Sequence, residues 1–269
     1  MSDVEEELLA ERGIGRVLAP NPSPMTLTGT NTWLVGRGRA WVVDPGPAHE
    51  QHLARVRDAI DERGGLGGVV LTHGHADHSE AAAALAGAYG APLAAGSGEA
   101  DVRLAEGERF GPFEAVHTPG HAADHFALLA SDACFSGDAV LGQGSVFITP
   151  YEGSLIGYLA ALERLGTRSD FTIICPGHGP TVPDGHAKLR EYGEHRLERE
   201  RALVHALDSG RRSTGDLLDA AWADAPAALR IPAAVTLAAH LDKLDEEGRL
   251  PEGVERPDLE SLRLGSVAW

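Results

Sequence analysis

The stretch Thr72-His73-Gly74-His75-Ala76-Asp77-His78 places three imidazoles and one carboxylate within six residues. The run 68–71 before it is apolar and β-branched, which predicts a buried strand. The Ala-rich run 78–85 after it predicts a helix. Imidazole and carboxylate are donors that Zn²⁺ and similar metals prefer. This density favours a metal site on a strand-to-helix loop over a solvated loop with chance histidines.

Three later apolar runs also end in a Gly-containing turn that carries one His or Asp. These runs and their polar residues are 113–117 with His121, 133–136 with Asp138, and 171–175 with His178. Because neighbouring strands finish at the same edge of a sheet, residues far apart in sequence can meet there. Asp44 follows the apolar run 40–43, where spacing alone does not distinguish a turn residue from a site residue.

The candidate ligands are too many for one catalytic zinc, which takes three protein ligands and a water. They are His73, His75, Asp77, His78, His121, Asp138 and His178. Seven donors suit two metals about 3.5–4 Å apart that share a bridging carboxylate and a bridging hydroxide.

Composition narrows the class of protein. The chain has 269 residues, 43% of them hydrophobic, which is enough for a large core. Its 33 Gly and 16 Pro are typical of an α/β or α+β enzyme with many loops, and not of a helical bundle. The formal net charge of −17, from 23 Lys and Arg against 40 Asp and Glu, disfavours binding to nucleic-acid phosphates.

The sequence shows no pattern of secretion or membrane insertion. Cys134 and Cys175 are too few for a disulfide framework and lie in apolar runs, which favours two buried thiols. The acidic segment 1–7 does not have the pattern of a signal peptide, and no run of 18 apolar residues occurs. We therefore expect a cytoplasmic protein with no membrane partner.

The composition changes after about Pro183, so we predict two domains, 1–185 with the metal ligands and 186–269 as a helical extension. Helices are predicted for 186–207, for a segment beginning near Ser213, and for 232–247. A hairpin is predicted for 249–254. Three helices followed by a strand pair are the order of a winged-helix-like unit.

In its candidate metal ligands and the residues around them, the chain resembles the metallo-β-lactamase fold superfamily. The matching pieces, in the order of the superfamily, are Asp44, the loop 73–78, His121, Asp138 and His178. The resemblance implies an α/β fold, an αββα sandwich with the site at one edge of its two sheets. Asp138 stands where cysteine-bearing metallo-β-lactamases have a thiolate, as in the glyoxalase II, ribonuclease Z and lactamase-like protein 2 branches.

The lactamase-like protein 2 branch is the most similar of these. Segments of the chain that look like that branch are 27–33, 118–125, 176–180, 194–200 and 240–244. The resemblance also implies the role of each ligand. One metal would be held by His73, His75 and His121, the other by Asp77, His78 and His178, with Asp138 as the bridge. The metals would be two Zn²⁺, with Mn²⁺ or Fe as alternatives.

The function implied is hydrolysis by a metal-bridging hydroxide of a small carbonyl substrate, such as a thioester, a lactone or a related ester. Asp77 and Asp138 are the candidate catalytic residues, and Asp77 or a metal-bound water would return a proton to the leaving group. Asp44 would not bind a metal itself but would orient one of the residues that does. His125, four residues after His121, is weighed as a residue that touches the site against a supporting or structural histidine, and a supporting role is expected.

Two alternatives remain. An endoribonuclease acting on single-stranded RNA is suggested by the most similar branch. Residues 186–250 contain ten Lys and Arg against twelve Asp and Glu, however, a net charge of −2 that disfavours a nucleic-acid surface. A metal-bound partner module without catalysis is less favoured, because no ligand is missing. We expect a small-molecule substrate, and a homodimer stays open.

Overall fold

The first of two β-sheets contains six strands. The structure, a computed structural model, describes residues 3–150 and 153–260. Pairing in this sheet is antiparallel from β1 to β3 and parallel from β3 to β6. In spatial order the strands are β1 (Ile14–Leu18), β2 (Asn31–Val35), β3 (Ala40–Val43), β4 (Leu66–Val70), β5 (Leu93–Ala95) and β6 (Val102–Arg103).

The second sheet contains five strands. In spatial order they are β11 (Ile173–Pro176), β10 (Ala133–Gly137), β9 (Phe126–Ala130), β8 (Phe113–His117) and β7 (Arg109–Phe110). Strands β10 and β11 are parallel, whereas the other neighbours are antiparallel. The carboxyl ends of β10 and β11 therefore lie side by side, which brings the residues that follow them together.

Alternation of side chains along the strands produces the layers of the fold. On β2, Trp33 and Val35 point into the core between the sheets, where they meet Phe113 and Phe135 of the second sheet. Leu34 points the other way, into the core beneath the helices of the first sheet. Successive side chains in a strand point to opposite faces, so a wholly buried strand must have a core on each side.

Eight α-helices cover these sheets among the described residues. They are α1 (Asp3–Glu11), α2 (Glu50–Asp61), α3 (Ala76–Ser79), α4 (Ala82–Tyr89), α5 (Leu155–Gly166), α6 (Gly185–Asp208), α7 (Thr214–Ala221) and α8 (Arg230–Glu246). Helices α2 and α4 pack on the first sheet, and α5 and the start of α6 pack on the second. The predicted αββα sandwich is confirmed. Within the part of the chain that is described, no helix has both the length and the apolar composition to cross a bilayer.

The helical extension predicted after the sandwich is also confirmed. Helices α6, α7 and α8 share a separate core that includes Leu203, Leu217, Trp222 and Leu241. The first half of α6 and Ala239 of α8 instead pack on the second sheet. The division into domains 1–185 and 186–269 stays a prediction, and residues 261–269 lie outside the described part of the chain.

Two local predictions are wrong. The hairpin predicted for 249–254 does not form, since those residues make turns and coil, so the wing of a winged helix has no support in the described residues. The strand predicted for 25–35 begins only at Asn31. Before it, Ser23 Oγ accepts hydrogen bonds from the N–H groups of Met25 and Thr26, and Leu27 has a φ of +55°. These features turn the chain, and a strand cannot form there.

The two sheets are joined by hydrogen bonds between β2 and the end of β11. The N–H of Asn31 donates to Gly177 O at 2.7 Å. Asn31 Nδ2 donates to Pro176 O at 2.9 Å and to Gly179 O at 2.8 Å. Trp33 Nε1 donates to Pro176 O at 3.1 Å. These bonds fix His178, the residue between Gly177 and Gly179, relative to the first sheet.

Candidate metal centre

Four predicted ligands lie on the loop between β4 and α3 and in α3 itself. Strand β4 ends at Val70, and α3 is a single turn that begins directly after His75. This turn places Asp77 and His78 beside the imidazoles of His73 and His75. The strand-to-helix loop was predicted correctly, although the helix is divided into α3 and α4.

The other three predicted ligands follow the ends of strands in the second sheet. Asp138 comes directly after β10, whereas His121 and His178 follow β8 and β11. The structure brings all seven residues together in overlapping groups whose ligand atoms lie within 4.8 Å of one another. These groups are His73 with His75 and His121, His73 with His78 and Asp138, and Asp77 with His78 and His178.

Distances within the cluster separate two halves. In one half, His121 Nε2 lies 3.1 Å from His75 Nδ1 and 3.7 Å from Asp138 Oδ2. In the other, His178 Nε2 lies 3.3 Å from Asp77 Oδ2 and 3.3 Å from Asp138 Oδ2. Asp138 Oδ2 is therefore common to both halves.

The hydrogen bonds behind the cluster decide which ring nitrogens face it. Nδ1 of His121 lies 3.3 Å from Phe147 O, and Nδ1 of His178 lies 3.2 Å from Gly29 O. Since a carbonyl oxygen only accepts, each Nδ1 carries the proton. Each Nε2 is then left as a lone pair that points into the cluster, the form in which imidazole binds a metal.

Asp44 plays the corresponding part for His78. The carboxylate is buried, and its Oδ2 lies 2.9 Å from His78 Nδ1, which donates to it. The same Oδ2 accepts from Thr72 Oγ1 at 2.7 Å, and Oδ1 accepts from the N–H of Thr72 at 2.8 Å. Because the Thr72 hydroxyl donates to Asp44, it accepts from His73 Nδ1, 3.0 Å away. One carboxylate thus fixes two imidazoles with their Nε2 lone pairs directed inward.

His125 and Thr30 support the two carboxylates. His125 is buried, and its Nδ1 lies 2.8 Å from Thr118 Oγ1. Its Nε2 accepts the N–H of Asp138 at 3.2 Å and so holds that residue at the end of β10. Thr30 Oγ1 donates to Asp77 Oδ2 at 3.0 Å. His125 therefore contacts the backbone of a candidate ligand, and it contributes no atom to the groups above.

Three buried atoms of the cluster have no hydrogen-bond partner among the described residues. They are His73 Nε2, His78 Nε2 and Asp138 Oδ1. His78 Nε2 lies 3.5 Å from one oxygen of Asp77 and of Asp138 without a hydrogen bond to either. Buried polar groups in proteins are almost always paired, so unpaired lone pairs that converge are typical of a cation-binding site. The donor set fits a divalent metal site.

Comparisons with known proteins agree with this chemistry. A family model described as the metallo-beta-lactamase superfamily matches residues 25–112. The beta-lactamase-like protein 2 homolog of Caenorhabditis elegans is 31% identical in an alignment that covers 93% of this chain and 88% of that protein. The chain belongs to the metallo-beta-lactamase superfamily. The Drosophila melanogaster protein of the same name is 30% identical over 87% of this chain and 88% of its own length. The superfamily and the branch predicted from the sequence are confirmed.

Solved structures of the superfamily share the fold over most of the chain. A beta-lactamase domain protein from Burkholderia ambifaria has a TM-score of 0.73 at 20% identity, covering 90% of both chains. A smaller protein solved in a di-iron-bound form has a TM-score of 0.52 at 28% identity, covering 64% of this chain and 96% of that one. The chain is a hydrolase of this superfamily with a divalent metal site.

One group of relatives has names that specify an activity. The atrochrysone carboxyl ACP thioesterase of Passalora fulva is 36% identical over 76 residues, which cover 28% of this chain and 23% of that protein. The similarity is therefore local.

Burial and charge act in opposite directions on the imidazoles of this superfamily member. Burial, together with the neighbouring imidazoles of His75 and His78, lowers the pKa of His121 to about 4. Burial and nearby imidazoles also lower the pKa of His73 well below its usual value. Burial also acts against the charged form of His78. The carboxylates of Asp77, Asp138 and Asp44 outweigh it and raise the pKa of His78 to about 9. The carboxylates thus favour a positive charge at this edge of the sheets. Bound divalent ions would supply that charge.

A cavity of about 480 Å³ opens onto the metal centre. Its floor includes His75, Asp77, His121, Asp138 and His178. One wall comes from the turn at 23–27, and the wall opposite comes from α6, α8 and the segment between α7 and α8. The walls are mainly apolar, as in many small-molecule sites. Apolar and aromatic wall residues include Met25, Leu27, Phe147, Trp222, Leu229 and Ala233.

The sequence did not identify several residues of the cavity wall. Arg196, Arg199 and His195 of α6 line the cavity. The spacing of Arg196 and Arg199, three residues apart on one helical face, was the available signal. Outside the cavity, His52 of α2 is buried against Thr32 Oγ1 and Pro45 O.

Tyr158 of α5 lies close to the metal centre in the fold but packs in the core. Its side chain is fully buried in the core under α5. The hydroxyl donates to Ala139 O at 2.7 Å. Tyr158 therefore supports the chain just after Asp138 and does not line the cavity.

Substituting Gly177 by alanine is expected to remove about half of the bound metal or more, because the site needs a residue without Cβ here. A Cβ on Gly177 would lie 2.4 Å from Asp138 Oδ1 and 2.7 Å from His78 Cε1. Metal content per chain, measured by elemental analysis of the dialysed protein, tests this. The matched control is Gly193→Ala on α6, where a Cβ meets no described atom within 4 Å. Wild-type metal content in Gly177→Ala would contradict the geometry.

Proposed function

We propose that this protein is a dinuclear zinc hydrolase that cleaves a small carbonyl substrate, a thioester, a lactone or a related ester. The observation that carries the proposal is the position of the unpaired lone pairs of His73, His78 and Asp138 beneath a largely apolar cavity. The seven donors suit two ions better than one. Asp138 Oδ2 lies near both His121 and His178, which supports a shared role for Asp138.

Each ion would have its own set of imidazoles. His73, His75 and His121 would hold the first, and Asp77, His78 and His178 would hold the second, with Asp138 between them. When bound, the ions polarise the substrate carbonyl and activate water for attack near neutral pH. Zinc is proposed over manganese or iron because imidazole is its usual nitrogen ligand, although a similar fold has been solved with two irons.

The residues around the centre supply the remaining requirements of hydrolysis. Met25, Leu27 and Trp222 line the cavity and exclude bulk water from the acyl group. Asp77 is the more exposed of the two carboxylates, with 26% of its side chain accessible against 11% for Asp138. Asp77 is the group that would accept a proton from the attacking water and return it to the leaving group. Against the effect of burial, the neighbouring imidazoles of His78 and His178 hold the pKa of Asp77 below its usual value.

The size and charge of the protein favour a small substrate over RNA. A cavity of about 480 Å³ holds an acyl group and a compact leaving group. The net charge of −17 repels a polynucleotide, whose affinity depends on Lys and Arg. The fungal relative named a thioesterase is similar over 76 residues, and this supports a thioester among the candidates.

The test combines metal analysis with substrate panels. Purified protein should contain close to two zinc ions per chain, and a chelator should abolish turnover that added Zn²⁺ restores. Reconstitution with Mn²⁺ or Fe²⁺ in parallel would show whether either metal gives higher turnover than zinc. Acyl thioesters, lactones and a fluorescent single-stranded RNA should be assayed side by side. Metal-dependent cleavage of the RNA without turnover of any acyl compound would refute the proposal and favour a ribonuclease.

A further inference from the structure

The wall of the cavity opposite the turn at 23–27 contains two arginines with very different surroundings. Arg199 Nη2 donates to Asp224 Oδ2 at 2.8 Å, and its Nη1 donates to Ala221 O at 2.6 Å. Its Nε donates to His195 Nε2 at 3.2 Å. Every guanidinium nitrogen of Arg199 thus has a partner, and this residue holds α6 to the end of α7.

Arg196 has no such compensation. Only 2% of the residue is exposed, and it lines the cavity. Its Nη2 donates to Val146 O, and its guanidinium carbon lies 5.4 Å from the ring centroid of Tyr158. Its Nε has no hydrogen-bond partner, and no carboxylate forms an ion pair with it, within residues 3–150 and 153–260.

A buried cation without a counter-ion is unfavourable. Removing a guanidinium from water costs several kcal/mol unless an anion or a full set of acceptors compensates. One carbonyl and one aromatic face supply only part of this. The chain has 40 Asp and Glu, yet none of those described lies within ion-pair distance of Arg196. Among the described residues, the binding capacity left at Arg196 is therefore available to a ligand in the cavity.

The position of Arg196 limits what that ligand is. It shares a cavity with the metal-centre residues His121 and Asp138, so the ligand is part of the molecule that reaches the metals. A planar guanidinium with parallel N–H donors matches the two oxygens of a carboxylate. The mainly apolar lining of the same cavity fits a hydrocarbon spacer between that carboxylate and the reacting carbonyl.

We propose that the substrate of this hydrolase is an acyl ester or thioester that carries a second, negatively charged carboxylate, and that Arg196 binds this carboxylate. The inference rests on the proposed hydrolase function and adds the charge of the substrate to it. The carboxylate belongs either to the acyl group or to the leaving group, and the two arms of the experiment distinguish these sources.

The first arm compares half-thioesters of dicarboxylic acids, from malonyl to adipyl, with neutral acyl thioesters of equal length and the same neutral thiol. The second arm keeps a neutral acyl group and compares a thiol that bears a carboxylate with its neutral amide. We expect kcat/KM of the wild type to favour the charged member in one arm by about tenfold or more, a typical value for one charged hydrogen-bonded pair.

The variants separate substrate binding from a structural role. Arg196→Met should raise KM for the charged substrates about tenfold and leave kcat/KM for the neutral ones within about threefold. Arg196→Lys should retain part of the preference, since it keeps the charge but loses the planar fork. Arg201→Met is the matched control, because Arg201 is an exposed residue of the same helix. Equal losses for charged and neutral substrates in Arg196→Met would show a structural role and overturn the proposal.

A binding measurement keeps the two proposals distinguishable. The Tm of the zinc-loaded protein is measured in the presence of pentanoate or of glutarate. The two acids have the same number of carbons, but glutarate has a second carboxylate. The rise in Tm should be larger for glutarate in the wild type and equal for the two acids in Arg196→Met. A larger rise with glutarate but no hydrolysis of any acyl compound would count against the hydrolase function alone. Hydrolysis without preference for charge, in kinetics or in binding, would count against the role of Arg196 alone.

Discussion

Asp138→Ala is expected to lower turnover by more than about 100-fold, because the substitution removes the residue proposed to bind both metals directly. Loss of an outer partner of a metal ligand costs at most about that much. Bound metal should fall from close to two ions per chain to one or less. Asp138 Oδ2 lies 3.3 Å from His178 Nε2 and 3.7 Å from His121 Nε2, so no other described carboxylate stands between the two halves in this way.

Elemental analysis and steady-state kinetics on the same preparation measure both effects. Asp208→Ala is a suitable control, because Asp208 is an exposed residue at the end of α6. Circular dichroism should show an unchanged fold for both variants. Two bound metals and near wild-type turnover in Asp138→Ala would exclude a bridging role for this residue.

Asp44→Ala should weaken metal binding by about 10- to 100-fold although Asp44 is not among the clustered ligand atoms. The substitution leaves the N–H of Thr72, its hydroxyl and His78 Nδ1 without their acceptor. The same loss should lower the free energy of unfolding by about 3 kcal/mol, since buried donors remain unpaired. Competition with a chelating dye and urea denaturation measure the two quantities.

Asp44→Asn tests the reason for the effect. Asparagine tolerates the φ of +48° at this position and still accepts one hydrogen bond, but it lacks the charge that orients His78. Its metal affinity should fall between those of the wild type and Asp44→Ala. Asp58→Ala, on the exposed face of α2, controls for loss of a carboxylate elsewhere. Wild-type metal affinity in Asp44→Ala would show that Thr72 and His78 are held by other contacts.

The sequence indicated that these seven side chains would lie together, because each candidate ligand is tied to a local pattern. His73 to His78 follow a buried strand, and Asp138 and His178 follow strands of their own, so strand ends alone indicated one common edge. The bonds that orient the ligands were less accessible. That Gly29 O accepts from His178, for example, depends on the way β2 meets the end of β11.

The cavity walls could not be predicted, since they come from packing between distant elements. Arg196 lies on a charged helix, and nothing local distinguishes it from the exposed Arg201 five residues later. Its burial results from contact with Val146 and Tyr158, fifty and thirty-eight residues earlier in the chain. Leu27 reaches the cavity because of a positive φ in a stretch that was predicted as a strand.

The division of the cavity between a floor and a wall has a consequence for the diversity of related enzymes. The ions would be held by loops of the sandwich, whereas Arg196, Trp222 and Leu229 belong to the helices that follow it. Mutations in those helices can change the molecule that fits while the reactive machinery stays intact. Selectivity and reactivity can therefore evolve as independent traits in this architecture.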